Sequence, residues 1–173
     1  MENELFPKRK NTRLTEFDYN TDGAYFITVC THDRKSTLAR VVGAIHESPE
    51  TKLTEYGKIL DEVINNIPSH LSVTVDRYVI MPNHFHVMLI VHDTRAIRES
   101  PLRSNRSVIS KTMGYIKMNT SKIIHQRYNT NEPLWQRGFY DHIIRNQEDF
   151  EKHIDYICNN PIKWEFDKLY PDR

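Results

Sequence analysis

The chain has 173 residues, 27% charged and 38% hydrophobic, with a formal net charge of +1, which suits one soluble domain with a real core. No apolar run approaches the ~20 residues of a membrane span, and the opening Met1-Glu2-Asn3-Glu4-Leu5-Phe6-Pro7 lacks an apolar signal segment. Cys30 and Cys158 lie far apart in no metal-ligand spacing, so the sequence predicts a cytoplasmic protein with reduced thiols.

Charge is segregated along the chain. Residues 1–22 read as an extended basic arm carrying Lys8, Arg9, Lys10 and Arg13. Leu102 to Asn131 holds no acidic residue but includes Arg103, Arg106, Lys111, Lys117, Lys122 and Arg127, while acid gathers in Glu47 to Asp61 and Glu148 to Asp155. Such segregation points either to a polyanion-binding surface or to a solvated basic helix.

Gly23 opens Ala24 to Thr31, whose aromatic and β-branched residues predict a strand. Ser36 to Lys52 reads as a short ribbon around Val41, Val42 and Ile45, with Pro49 near its turn. From Leu53 to Ile67, Tyr56, Leu60, Val63, Ile64 and Ile67 recur at helical spacing, and Pro68 stops the run. Val73 to Met81 and His84 to His92 form two strands joined by Pro82-Asn83, followed by a polar loop from Asp93 to Ser107. Val108 to Tyr128 is a long helix with Ile109, Met113, Ile116, Thr120 and Ile123 on one stripe and Lys111 and Lys122 opposite. A short strand, Phe139 to Arg145, and a last helix, Gln147 to Asn160, capped by Asn146 and closed by Pro161, complete the order. Strand, helix, hairpin, helix, strand is the ferredoxin-like split βαβ arrangement of the α+β class: one antiparallel sheet covered by helices, across 1–173 as a single domain.

Two constellations carry chemistry. Side chains alternate along a strand, so His84 and His86 point the same way, roughly 7 Å apart along the backbone, and can close on one divalent metal. A bare His-x-His on a hairpin more often binds nothing. In the last helix Asp149, His153, Tyr156 and Asn160 follow at i, i+4, i+7 and i+11, a single polar line. A phenol can attack phosphorus, and an amide oxygen can complete a metal site begun by two imidazoles.

These residues resemble the single-tyrosine HUH transposases, in particular the REP-associated tyrosine transposases. Met81-Pro82-Asn83-His84-Phe85-His86 is similar to the His-hydrophobe-His motif. Trp135-Gln136-Arg137-Gly138-Phe139-Tyr140-Asp141-His142 is similar to the Trp-Gln segment, and Asp155-Tyr156-Ile157 with Asn159-Asn160-Pro161 to the tyrosine motif. The resemblance implies His84 and His86 as metal ligands, Asn160 as the third, Tyr156 as nucleophile and Mg²⁺ or Mn²⁺ as cofactor. It implies cleavage of single-stranded DNA near a hairpin through a 5′-phosphotyrosine, followed by strand transfer. His153 is a candidate to assist loss of the phenolic proton, or a packing histidine. Lys8, Arg9, Lys10, Arg13, Arg106, Lys111, Lys117, Lys122 and Arg137 would contact DNA, with Trp135, Phe139 or Tyr140 available to stack on bases. The site is completed within one chain or across a homodimer. An alternative keeps the fold as a domesticated hairpin-binding protein without catalysis. A cupin-like metalloenzyme also carries His-x-His on a strand, but Met88 to Val91 stand where its further residues would fall.

Overall fold

The structure is a computed structural model that describes residues 21–43, 50–92 and 106–170. The arm residues Lys8, Arg9, Lys10 and Arg13 lie outside the described residues, as do Ile45, Pro49 and most of the loop after His92.

Four strands, β1 (Gly23–Cys30), β4 (Val73–Ile80), β5 (His84–Val91) and β6 (Tyr140–Ile143), form one sheet in the order β4-β5-β1-β6. Every pairing in it is antiparallel. That order and the helices between strands realise the expected ferredoxin-like α+β arrangement. The ribbon exists as β2 (Ala39–Val42) paired with β3 (Glu50–Leu53). Helix α1 (Glu55–Asn65) starts later than the apolar spacing predicts, because the Thr54 side chain caps it by accepting from the Gly57 N–H at 3.2 Å, and it ends two residues before Ile67. A Cβ on Gly57 would overlap the Leu38 carbonyl, so the helix start can sit on the ribbon only with glycine there. Helix α2 (Val108–Tyr128) matches its expected bounds, with Ser107 as N-cap and Asn129 in the left-handed region as C-cap. Its buried stripe ends at Ile124, however, with Ile123 only partly covered. Helix α3 (Gln147–Asn159) is capped by Asn146, whose side chain accepts from Asp149 N–H at 2.8 Å. None of the helices among the described residues is long and apolar enough to cross a membrane.

The sheet separates two environments. Tyr25, Ile27, Val29, Phe85, Val87 and Leu89 join residues of α1 and α2 in the main apolar core. Thr28 pairs with His86, Phe26 with Met88 and with His142, so these side chains share the other face. Helix α3 and the chain beyond it lie against that face. Both faces of β5 are therefore buried, not just the apolar one.

Candidate metal and tyrosine site

The Met81-Pro82-Asn83 turn fixes where the histidines start. Met81 N–H donates to the His84 carbonyl at 2.8 Å, and the Asn83 carbonyl accepts from Thr31 N–H at 2.9 Å. With its backbone held, Asn83 uses its side-chain oxygen on His84 Nδ1, at 2.8 Å. An amide oxygen only accepts, so Nδ1 carries the proton and the lone pair of His84 is on Nε2. Thr28, opposite His86 in register, places its hydroxyl 2.7 Å from His86 Nδ1. The remaining ring nitrogens, His84 Nε2 and His86 Nε2, then face each other at 3.0 Å. At that separation two nitrogens share one proton or one cation, since metal–imidazole bonds run about 2.0–2.1 Å.

Electrostatics push the pair the same way. His84 is fully buried and His86 is 3% exposed. Burial lowers His84 to about 4, against the smaller opposing pull of Asp167. His86 falls well below its ordinary value, again by burial first and then by the charges of His84 and His153. Both imidazoles are neutral at pH 7, the form that binds metal.

Tyr156, on α3, packs edge-on against His86 with ring centroids 5.1 Å apart and against Phe26 at 5.9 Å. The residue is 42% exposed, yet its hydroxyl donates to Asp167 Oδ2 at 2.9 Å. Burial, then the Asp167 charge and hydrogen bond, push the phenol up to about 12, while the Asn160 amide pulls it down. Asn160 is itself buried, and its Oδ1 has no hydrogen-bond partner among the described residues. An orphaned amide oxygen in a dry site is costly unless something else binds it.

Asp167 has no counterpart in the sequence reading. It lies beyond α3 in a tail that turns through Trp164–Phe166 and packs Trp164 against His84 at 5.7 Å. Ligand atoms of His84, His86 and Asp167 all fall within 4.8 Å of one another. No spacing pattern announces such a residue, because its position depends on how the tail folds back.

The other expected site residues divide. His153 contacts Phe26 at 4.7 Å and His142 at 4.6 Å, and its Nδ1 donates to the Asp149 carbonyl at 2.8 Å. Lys117 is half-buried, its Nζ donating to the Gln136 and Gly138 carbonyls at 2.7 and 2.9 Å. Two of its three protons thus hold the Trp135–Gly138 segment, and burial lowers its pKa. Trp135 is buried against Phe85 and donates to the Lys117 carbonyl, which makes it a core residue. Arg106, Lys122, Arg137 and Tyr140 are exposed, and Lys111 is partly so.

A family model described as "Transposase IS200 like" matches residues 21–160. The chain belongs to the IS200-like transposase family. It is 25% identical over 159 residues to a putative REP-associated tyrosine transposase of Haemophilus influenzae, covering 90% of this chain and 79% of that one. It is 23% identical over 145 residues to the REP-associated tyrosine transposase of Escherichia coli K12, covering 84% and 70%. An uncharacterized Haemophilus influenzae protein is 30% identical over 174 residues, covering 95% and 94%. A solved REP-associated tyrosine transposase bound to a REP hairpin has the same fold, with a TM-score of 0.59 at 24% identity over 85% of this chain and 71% of that one. The sequence resemblance to REP-associated tyrosine transposases therefore holds.

Proposed function

We propose that this transposase binds hairpin-forming single-stranded DNA and cuts it through a covalent bond to Tyr156. The observation that carries the reading is a half-exposed phenol set against two buried, neutral imidazoles whose Nε2 atoms face each other at 3.0 Å. The donor set fits a divalent cation: His84 Nε2, His86 Nε2 and the orphaned Oδ1 of Asn160. Two imidazoles favour Mn²⁺ over Mg²⁺, which prefers all-oxygen shells. Bound there, the cation supplies Lewis-acid polarisation of a phosphate oxygen. Asn83 and Thr28 keep the imidazoles oriented, and Phe26 and Trp164 wall them from water. Tyr156 attacks phosphorus from the exposed side, leaving a 5′-phosphotyrosine and a free 3′-hydroxyl. Because the phosphodiester energy is kept in that bond, a 3′-hydroxyl can reverse it and join strands. The contacts of His153 with Phe26, His142 and Asp149 support a packing role for it.

Phosphate contacts fall to the exposed Arg106, Lys122 and Arg137 and the partly exposed Lys111 of α2 and its flanks, together with Lys8, Arg9, Lys10 and Arg13 of the arm. Lys117 retains one proton for such a contact.

The test is incubation of the chain and Mn²⁺ with a labelled library of single-stranded hairpins, followed by denaturing electrophoresis. A covalent protein–DNA band is expected, absent in Tyr156→Phe, which loses one oxygen and almost no volume. An adduct persisting in the Phe variant, or mapped to Tyr140, would reject the assignment.

A further inference from the structure

The nucleophile candidate has a fixed partner. Asp167 is 9% exposed, and its two oxygens have separate tasks. Oδ2 accepts the Tyr156 O–H at 2.9 Å, while Oδ1 accepts the Leu169 N–H at 2.7 Å. The Leu169 carbonyl in turn accepts from Asn83 Nδ2 at 2.7 Å, and Asn83 is the residue that orients His84. A continuous line of hydrogen bonds through Leu169 therefore ties the tyrosine, the carboxylate and the histidine turn together. We propose that Asp167 is a catalytic residue, the base that takes the phenolic proton as the Tyr156 oxygen bonds to phosphorus. This rests on the reading of Tyr156 as nucleophile.

The step balances without a further reactant. The phenolic O–H bond breaks, its proton moves to Asp167 Oδ2, and the tyrosine oxygen forms the new O–P bond. The P–O3′ bond breaks, the departing oxygen takes a proton from water, and Asp167 returns its own to solvent. A carboxylate hydrogen-bonded to a neutral phenol disfavours free phenolate, so the transfer accompanies attack and does not precede it. Among the hydrogen bonds of the described residues, the phenol donates to the Asp167 carboxylate. His86 Nδ1 bonds Thr28 and its Nε2 faces His84, and an amide such as Asn160 does not accept protons at neutral pH. A rival role for Asp167 is metal ligation, because its carboxylate lies within 4.8 Å of the imidazole nitrogens.

The experiment uses the full chain, Mn²⁺ and a hairpin from the library that the wild type cuts. Asp167→Asn keeps the shape and an oxygen facing the phenol but cannot accept the proton. Single-turnover cleavage should slow by roughly 10²–10⁴-fold, while Mn²⁺ binding, followed by electron paramagnetic resonance without DNA, stays unchanged. Asp167→Glu should recover part of the rate. Replacing Tyr156 with difluorotyrosine, a more acidic phenol, should rescue Asp167→Asn more than it changes the wild type. If the Asn variant does not fold, Asp167→Ala takes its place with formate added, and restored cleavage supports the base. Unimpaired cleavage in Asp167→Asn, a parallel loss of Mn²⁺ affinity, equal fluorotyrosine effects in both backgrounds, or no response to formate would each overturn it. A wild type that forms no adduct removes the reading of Tyr156, and the inference with it, whereas a wild-type adduct with an unimpaired Asn variant removes only the inference.

Discussion

Phe26 stands between two clusters, each made of two histidines and an aspartate. On one side are His84, His86 and Asp167; on the other are His142, Asp149 and His153. The inner cluster is buried, and its polar supports come from outside it: Asn83 for His84, Thr28 for His86. That leaves two Nε2 atoms with nothing but each other. In the outer cluster the carboxylate is the hub. His142 Nε2 lies 2.9 Å from Asp149 Oδ2, His153 Nδ1 lies 3.2 Å from Oδ1, and the Arg145 N–H also donates to Oδ2. The His142 hydrogen bond holds Asp149 below the usual carboxylate range, and the group staples the start of α3 to β6. The same three side chains make a clamp where they satisfy one another. They make a ligand-ready pair where neighbours satisfy all but two nitrogens and burial removes the charge.

The largest expected contrast is between the histidines. His84→Ala should reduce Mn²⁺-dependent cleavage by more than the roughly 10–100-fold that losing a ligand's supporting hydrogen bond costs. His142→Ala should leave the rate within a few-fold. Similar losses in a single-turnover assay would erase the distinction.

Thr28→Val removes the hydroxyl from His86 Nδ1 with little change in volume. Mn²⁺ affinity should fall by roughly 10–100-fold, read by metal titration. An unchanged affinity would mean that the strand alone orients the ring.

Acid should find the inner cluster too. His84 has its folded value lowered to about 4 from 6.5, so between those values the unfolded chain binds a proton that the folded chain does not. The His84 contribution to stability is then fully present above about pH 6.5 and lost as pH falls towards 4, by about 3 kcal/mol at most at 1.36 kcal/mol per unit, and buried His86 adds a loss of the same sign. Urea unfolding with chelator present, at pH 7 and pH 4.5, measures it. His84→Gln should make the dependence shallower, with the remainder due to buried His86; an equally steep loss in that variant would place the titration elsewhere.

The smallest effect belongs to the outer cluster. Asp149→Ala removes a partly exposed hub, and the melting temperature should drop by only about 2 °C, less at high salt. A drop as large as that of a core mutant would show that the clamp carries the docking of α3.

The sequence by itself determined the elements whose signals are local. Alternation on either side of Met81-Pro82-Asn83 placed His84 and His86 on one face of a strand, and the helical spacing of Ile109, Met113, Ile116 and Thr120 placed Val108–Tyr128. Tyr156 and Asn160 were legible as one line on a helix stopped near Pro161 for the same reason: periodicity and caps act over a few residues. Contacts between distant segments were not legible. Alternation gave β5 one apolar face, but only the docking of α3 and the tail buried the histidine face and so stripped both imidazoles of charge. Lys117 became a tie to the Gln136 and Gly138 carbonyls, and Trp135 a core residue, because of how α2 crosses the segment before β6. Asp167 reached Tyr156 only through a tail fold fixed by Leu169 and Asn83, 86 residues apart. No spacing encodes that meeting, since hydrogen bonds between remote residues are set by the whole fold that brings them together.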